Sequence, residues 1–207
     1  MAFGYKTRRQ YKLETEELRA VVSDLVRERD IDSLTGVGSG KKLYRELAQA
    51  IKEGIQWDNN VCVIFGDMDD LHGLNRRTSQ EFVDKEIFPR IANRLIEVVS
   101  GVRHRETDLF RRSGDEFIII VKNAGPESAK LIAQRAVTAV AGDHELQEHG
   151  VGISMGVADI WEFLKDPKTR HIAAEEESLS RHMLDRAEAN MKAAKEAKKA
   201  ALGIVRA

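Results

Sequence analysis

The stretch Val61-Cys-Val-Ile-Phe-Gly-Asp-Met-Asp-Asp70 joins a short apolar run to a cluster of three aspartates. An apolar run of this length, bounded by turn residues, is typical of a buried strand, and we predict one over Val61 to Gly66. Open α/β sheets place ligands at the carboxyl ends of their strands, and Mg²⁺ prefers carboxylate oxygens. The stretch therefore indicates a candidate metal site at Asp67, although aspartates after strands also cap helices and form turns.

A second acidic pair lies in the middle of the chain, between two further strand patterns. Thr107 to Arg112 and Phe117 to Val121 are predicted strands, and Ser113-Gly-Asp-Glu116 connects them as a β-hairpin. Gly114 would let a phosphate approach the backbone closely, but a Gly-Asp turn is also ordinary hairpin chemistry. If the hairpin lies beside the first strand, Asp115 converges with the aspartate there, and such carboxylate pairs hold divalent ions for phosphoryl transfer.

The remaining pattern alternates helices with strands and contains no internal repeat. The predicted helices cover Lys41 to Ile55, Phe82 to Val99, Glu127 to Ala141 and Met183 to Ala200; a strand covers Val151 to Ala158, a polar segment Asp159 to Arg181, and a terminal strand Gly203 to Arg206. Strands separated by helices, with one hairpin among them, predict an α/β fold in which a mixed central sheet carries helices on its faces.

An amphipathic helix is predicted ahead of the main domain, within residues 1–29, and the domain itself is assigned to residues 30–207. From Tyr11 to Arg29 the apolar residues Leu18, Val21, Val22 and Leu25 follow helical spacing. Such a helix either packs on the domain or pairs with a second copy. Both interpretations stay open.

Lys195 and Lys199 lie four positions apart on the last predicted helix, so they share one face. Two point charges in this arrangement suit a triphosphate. A solvated helix rich in alanine and lysine is the plainer interpretation of the same pattern.

Composition excludes several classes of protein. The chain has 207 residues, 42% of them hydrophobic, which suits one domain with a short appendage. A formal net charge of −1 gives no field that would attract nucleic acid or an anionic membrane. The one cysteine, Cys62, lies inside an apolar run and has no internal disulfide partner. We expect a protein of the cytoplasm, with no nucleic-acid and no membrane partner.

The GGDEF domain of diguanylate cyclases has five motifs that this sequence resembles in order and in separation. They are Asp32-Ser-Leu-Thr-Gly36, Asp67-Met-Asp69, Ser113-Gly-Asp-Glu-Phe117, Ile153-Ser-Met-Gly-Val-Ala158 and Ala194-Lys195. The resemblance covers about residues 30–200. It implies a fold similar to the nucleotidyl cyclase palm and the condensation of two GTP molecules into cyclic di-GMP by a homodimer with Mg²⁺ or Mn²⁺.

The resemblance also implies roles for individual residues. The carboxylates of Asp67, Asp115 and Glu116 and the carbonyl of Met68 look like the metal ligands, with Asp115 as the catalytic carboxylate and Glu116 assisting. The residues implied to bind GTP are Asn75 and Asp84 for guanine, and Leu71, His72, Ser113, Gly114, Lys195 and Lys199 near the phosphates. A carboxylate that accepts from the guanine N1–H and N2–H₂ edge discriminates against adenine, which lacks those donors.

The sequence departs from the family pattern at several positions. Ser113 replaces the first glycine of the signature, and His72 replaces a lysine near the phosphates. The run from Asn75 to Asp84 is also altered, at Arg76, Ser79, Gln80 and Val83. The family's product-inhibition motif, which would bind cyclic di-GMP, corresponds to Arg105 and Asp108, but here it lies one residue closer to the signature. In a strand, such a shift turns side chains to the opposite face.

Three alternatives to the diguanylate cyclase remain. A degenerate domain could hold GTP or a cyclic dinucleotide without turnover, and the altered segment before Asp84 is the main argument for it. A related cyclase could make a different cyclic dinucleotide. A purely structural protein is the least favoured, because it would not need acidic residues at both strand ends.

Overall fold

The computed structural model describes residues 8–102, 107–166 and 176–201. Its strands form one mixed sheet in the order β1-β3-β4-β2-β5. They are β1 (Gly38–Ser39), β2 (Val61–Asp69), β3 (Thr107–Ser113), β4 (Glu116–Lys122) and β5 (Gly152–Asp159). β1 pairs parallel to β3, and the other neighbouring strands are antiparallel. The prediction of a mixed sheet with a central hairpin is confirmed.

Helices cover both faces of this sheet. In the described residues they are α1 (Arg8–Asp30), α2 (Gly40–Trp57), α3 (Leu71–Arg77), α4 (Gln80–Phe82), α5 (Phe88–Ser100), α6 (Pro126–Ala141), α7 (His144–Glu148), α8 (Ile160–Leu164) and α9 (Glu176–Ala201). A π-helical turn over Val83–Ile87 joins α4 to α5.

β2 is the central strand of the core. Its side chains alternate between two apolar clusters, because successive residues of a strand face opposite sides of the sheet. Cys62, Ile64 and Met68 belong to the cluster with α5 and α6, whereas Val63 and Phe65 belong to the cluster with α2 and α9. All five are at most 1% exposed. Burial on both faces explains why the run is continuously apolar.

α9 approaches β5 very closely at Gly156. A Cβ atom at this glycine would collide with the backbone nitrogen of Met191 and the carbonyl oxygen of Ala187. The absence of a side chain therefore sets the distance between the last helix and the sheet. Asn190 adds a hydrogen bond here, from its Nδ2 to the carbonyl of Val157 at 2.7 Å.

The predicted helix from Phe82 to Val99 is present but changes register. In the π turn the N–H of Phe88 donates to the carbonyl of Val83. Pro89 follows, and a proline inside a regular α-helix clashes with the carbonyl four residues earlier and leaves it without a donor. The wider turn accommodates Pro89 and keeps the helix continuous.

Other boundaries differ from the predictions. β2 extends three residues beyond Gly66, because Asp67 to Asp69 continue to pair with β5. The segment predicted only as polar contains α8 and the first turns of α9. The short helices α3 and α7 had no periodic signal long enough to predict them. The predicted terminal strand, 203–206, lies outside the described residues.

The segment predicted as a leading helix contains α1 (Arg8–Asp30). Arg45 of α2 pairs with Asp30 at its end, with 2.7 Å between Nη2 and Oδ2. Its apolar side chains Leu18 and Val22 are 65% and 51% exposed. The division of the chain at residues 29 and 30 stays a prediction. No helix in the described ranges is long and apolar enough to cross a bilayer.

Candidate active site

The acidic end of β2 lies beside the hairpin turn between β3 and β4. Asp67 is opposite Glu116 in the β2–β4 ladder, and the N–H of Met68 donates to the carbonyl of Asp115 at 3.3 Å. Asp67 and Asp69 are two residues apart in a strand, so they face the same side of the sheet. That side is the one covered by α9.

The hairpin turn has a defined local structure. Gly114 has a φ of +48°, a conformation that favours glycine. The hydroxyl of Ser113 donates to Glu116 Oε2 at 2.8 Å, so the serine that opens the signature caps its own turn. Asp115 remains directed to the cleft, where it is partly buried.

Asp115 is a perturbed carboxyl group. Burial raises the pKa of Asp115 above its ordinary value, and the negative charge of Asp67 raises it further, while its own backbone hydrogen bond and the Lys195 ammonium act in the opposite direction. Like charges in one partly dry site disfavour the ionised form. A pKa shift of this origin in a cleft is typical of functional carboxylates.

Two lysines of α9 reach the acidic end of β2. Lys195 Nζ bonds Asp67 Oδ1 and donates to the carbonyl of Met68 at 3.0 Å. Lys198 Nζ donates to Asp69 Oδ2 at 2.6 Å. The other oxygen of Asp69 accepts from the Ser154 hydroxyl at 2.8 Å. Strands β2 and β5 and helix α9 therefore meet at these carboxylates.

A buried arginine, Arg111, supports the hairpin turn by a hydrogen bond to its backbone. Arg111 is 7% exposed, and its Nε donates to the carbonyl of Gly114 at 2.7 Å. Its Nη1 donates to Asp32 Oδ1 at 3.2 Å, and its guanidinium lies 4.2 Å from the centre of the Phe88 ring. Asp32 also accepts from Thr35 Oγ1 at 2.6 Å. The loop before β1 therefore positions the turn that carries Asp115.

The segment after β2 forms the rim of the cleft. Asp70 has a φ of +56° and caps α3, with its carboxylate accepting from the N–H of Gly73 at 3.2 Å. A Cβ at Gly73 would collide with that carboxylate. Leu71 and His72, in the first turn of α3, line the cleft.

The cleft has a volume of about 480 Å³ and contains most of the predicted site residues. Its described lining residues are Asp67, Met68, Asp70, Leu71, His72, Asn75, Asp115, Lys195 and Lys199. Asn75 Oδ1 is buried and has no hydrogen-bond partner in the described part of the chain. Asp84, on the π turn, is partly buried and is not one of the described lining residues. Lys199 reaches the cleft while its Nζ donates to Glu196 at 2.8 Å.

A family model described as "Diguanylate cyclase, GGDEF domain" matches residues 29–201. The chain belongs to the GGDEF domain family.

The chain is similar to two curated relatives in sequence and to one solved structure in fold. The bifunctional diguanylate cyclase/cyclic di-GMP phosphodiesterase MucR of Pseudomonas aeruginosa is 28% identical over 140 residues, which are 68% of this chain and 20% of MucR. Diguanylate cyclase DgcS of Shewanella oneidensis is 28% identical over 134 residues, 65% of this chain and 43% of DgcS. The chain therefore spans less than half the length of either relative.

The solved structure is the coiled coil and GGDEF domain of DgcB from Caulobacter crescentus in complex with c-di-GMP. It superposes with a TM-score of 0.72 at 19% identity and covers 90% of this chain and 91% of that one. The superposition confirms the predicted fold.

The oxygens of this GGDEF cleft fit a divalent cation. Asp67 and Asp115 concentrate negative charge, and the Lys195 ammonium already bonds two of the oxygens that the family resemblance assigns to metal. Among the described residues no group of three His, Cys, Asp or Glu side chains is suited to a metal. Mg²⁺ does not need one, because it is commonly held by one or two carboxylates together with water and phosphate oxygens.

The residues that correspond to the family's product-inhibition motif are not seen as a pair. Arg105 lies outside the described residues. Asp108, on β3, pairs with Lys122 on β4, with 2.8 Å between Oδ2 and Nζ. The inhibitory role of Arg105 and Asp108 stays a prediction.

Several site residues were missed by the sequence analysis. Arg111, Ser154 and Lys198 all contact the carboxylates or the hairpin turn. The sequence motif that contains Asp69 predicts no separate role for it. Its spacing of two from Asp67 could have indicated a shared strand face, whereas no local pattern identifies the contacts of Lys198 and Arg111.

Proposed function

We propose that this GGDEF domain condenses two GTP molecules into cyclic di-GMP and releases pyrophosphate. The observation that supports it best is the convergence of Asp67, near the end of β2, and Asp115, in the β3–β4 hairpin turn, in a cleft that also contains Lys195 and Lys199. Paired carboxylates with adjacent cations are suited to phosphoryl transfer, in which charge develops on phosphate oxygens.

The metal-binding oxygens we propose are the carboxylates of Asp67, Asp115 and Glu116 and the carbonyl of Met68. Mg²⁺ or Mn²⁺ bound there would neutralise charge at the α-phosphate as a ribose 3′-OH forms the new phosphodiester bond. The hairpin turn, fixed by Arg111 and by Ser113, keeps Asp115 in place before nucleotide binds. Little reorganisation of the protein is then needed during the reaction.

We propose that GTP binds in the same cleft. The backbone N–H groups of Leu71 and His72 and the glycine of the hairpin turn, Gly114, would contact the phosphates together with Lys195 and Lys199. Asn75 offers at the rim a buried oxygen that has no hydrogen-bond partner among the described residues, and the N–H donors of a guanine would suit it. Asp84 is proposed to complete the recognition of guanine, which requires its side chain to turn toward the cleft.

Two domains are needed for this reaction. One cleft presents one GTP, and ring closure takes two phosphodiester bonds between two nucleotides, so we propose a homodimer with facing clefts. Each bond releases one pyrophosphate. We place the reaction in the cytoplasm, since a reducing compartment suits the free thiol of Cys62.

A second candidate is a binding module that holds GTP or cyclic di-GMP without turnover. It is favoured by one observation: Asp84 is not among the described residues that line the cleft. Such a domain would respond to nucleotide by changing its contacts with a partner.

Incubation with Mg²⁺ and GTP, ATP or both, with products identified by mass spectrometry, tests these proposals. We expect cyclic di-GMP from GTP and none from Asp115→Asn. Asp185→Asn, an exposed substitution of the same kind on α9, should retain activity. Binding of GTP without product would establish the second candidate, and an adenine-containing product would refute the proposed guanine specificity.

A further inference from the structure

The Lys195 ammonium occupies the position where a metal would be expected. It bonds Asp67 Oδ1 and the carbonyl of Met68, the latter at 3.0 Å. Both oxygens belong to the proposed metal-binding set. The side chains of Lys195 and Asp67 are 21% and 20% exposed, so their attraction is screened less than that of a surface ion pair.

An ammonium and a divalent ion compete for these two oxygens. Each needs the same lone pairs at short range, and two cations in contact repel each other. A metal that binds both Asp67 Oδ1 and the Met68 carbonyl therefore displaces Lys195 from them. In the absence of another acceptor, displacement costs the lysine its ion pair, and the affinity for free metal is reduced accordingly.

A displaced Lys195 needs another acceptor. Asp69 Oδ1 is 3.8 Å from its Nζ, but that oxygen already accepts from Ser154, and the other accepts from Lys198. A stronger acceptor would be a phosphate group of a nucleotide bound in the same cleft. Lysine is suited to such a transfer because its charge is carried on a flexible four-carbon stem.

We propose that Lys195 acts as an internal cation that competes with the divalent ion, and that nucleotide phosphates relieve this competition by attracting the ammonium away from Asp67. Metal and nucleotide binding are then mutually favourable, since coupling between two ligands is reciprocal. The inference depends on the proposed function for the nature of the metal and of the phosphate. It makes Lys195 a determinant of binding order as well as a phosphate contact.

Mn²⁺ titration followed by electron paramagnetic resonance, without nucleotide, tests this proposal. We expect Lys195→Met to bind Mn²⁺ about tenfold more tightly than the wild type, a difference typical of one partly buried ion pair. Lys198→Met is the matched control, because it removes the same charge one turn away but contacts Asp69 instead of Asp67. It should change the affinity much less. Circular dichroism checks each fold, and Lys195→Gln replaces the methionine variant if that variant is unfolded.

The double variant Asp67→Asn/Lys195→Met locates the effect. It should lose the gain in Mn²⁺ affinity, since the oxygens set free in the single variant are then incomplete. Equal Mn²⁺ affinity of Lys195→Met and wild type, an equal gain in Lys198→Met, or a gain that persists in the double variant would each overturn the proposal. Mn²⁺ affinity is measured independently of turnover. If the protein makes no product but Lys195→Met still binds Mn²⁺ more tightly, the cyclase assignment is refuted and the competition between Lys195 and the metal is supported.

Discussion

Asp143 is buried and Asp115 is partly buried, yet their pKa values move in opposite directions. Asp115 faces another carboxylate, which adds to the effect of burial. For Asp143, burial alone would raise the pKa, but hydrogen bonds from Arg90, the Leu146 amide and Arg94 outweigh it and lower the pKa to about 2. The two arginines approach separate oxygens, each at 2.7 Å. The carboxylate of Asp115 is therefore suited to chemistry, whereas that of Asp143 is suited to joining α5 to α7.

Replacement of Asp143 by asparagine should destabilise the fold by about 2 kcal/mol or more, because it leaves two guanidinium groups without their buried partner. Urea unfolding at neutral pH measures this loss. Glu145→Gln, at a carboxylate that also contacts Arg90 but is 62% exposed, is the control and should change stability far less. Equal effects of the two substitutions would contradict the role given to Asp143.

The same carboxylate predicts how stability depends on pH. Its pKa is lowered in the folded state, from an ordinary value of 3.8 to about 2. Its contribution is therefore complete above pH 3.8 and disappears as the pH falls through about 2. Unfolding free energies measured across this window should converge for the wild type and Asp143→Asn at the acidic end. If the unfolding free energies of the two proteins instead stay equally far apart across this window, the lowered pKa of Asp143 is contradicted.

Cys62 should resist thiol reagents in the folded protein. Burial raises the pKa of its thiol to about 12, with a further contribution from the nearby carboxylate of Asp159, and the side chain is 0% exposed. The reactive thiolate is therefore scarce at neutral pH. Labelling with a chromogenic disulfide should be slow in buffer and rapid in concentrated urea. Rapid labelling of the native state would contradict the position of Cys62 in the core.

At the scale of elements, local patterns predicted the longer strands and helices, but not where they end. The Val61–Phe65 run identifies β2, yet the strand continues into Asp69 because β5 supplies backbone partners there. The π turn accommodates Pro89, and the helical spacing of apolar residues does not reveal the effect of this proline. α7 depends on the cap that Asp143 provides. The end of β2, the π turn and α7 each depend on groups that are outside the local hydrophobic pattern.

The hairpin turn should loosen when its buried support is removed. Asp32→Asn deprives Arg111 of its charged partner, and the guanidinium then holds the carbonyl of Gly114 less firmly. We expect faster amide hydrogen exchange at residues 114–116 and a stability loss of about 1–3 kcal/mol. Asp30→Asn removes the ion pair with the more exposed Arg45 and should leave exchange in the turn unchanged. Unaltered exchange in Asp32→Asn would refute this support.

At the scale of the whole molecule, α9 connects the site to the rest of the fold. It packs against β2, β5 and α2, and it carries the lysines that meet the acidic end of β2. The sequence predicted the carboxylates, the lysines and the helix as separate features. It did not predict which lysine contacts which aspartate, because that depends on the angle and depth at which the helix lies on the sheet.

Gly156 sets that depth, so Gly156→Ala should displace α9. The added methyl group would meet backbone atoms of the helix, which cannot move aside as a side-chain tip would, and overpacking of this kind typically costs about 1–3 kcal/mol. Thermal unfolding should show a lower midpoint. Gly101→Ala is the control, because the nearest atoms to its Cβ are at ordinary distances, 3.5 Å. A variant at Gly156 as stable as the wild type would contradict the close packing.

The ion pair between Lys195 and Asp67 joins residues 128 positions apart. During synthesis, the aspartate leaves the ribosome long before the lysine, and closing so long a loop carries an entropic cost that only the assembled sheet can offset. The acidic end of β2 and its lysine contacts are therefore among the last parts of the domain to form. A nascent chain that ends before α9 would expose the apolar face that α9 normally covers, together with carboxylates that have no lysine to neutralise them.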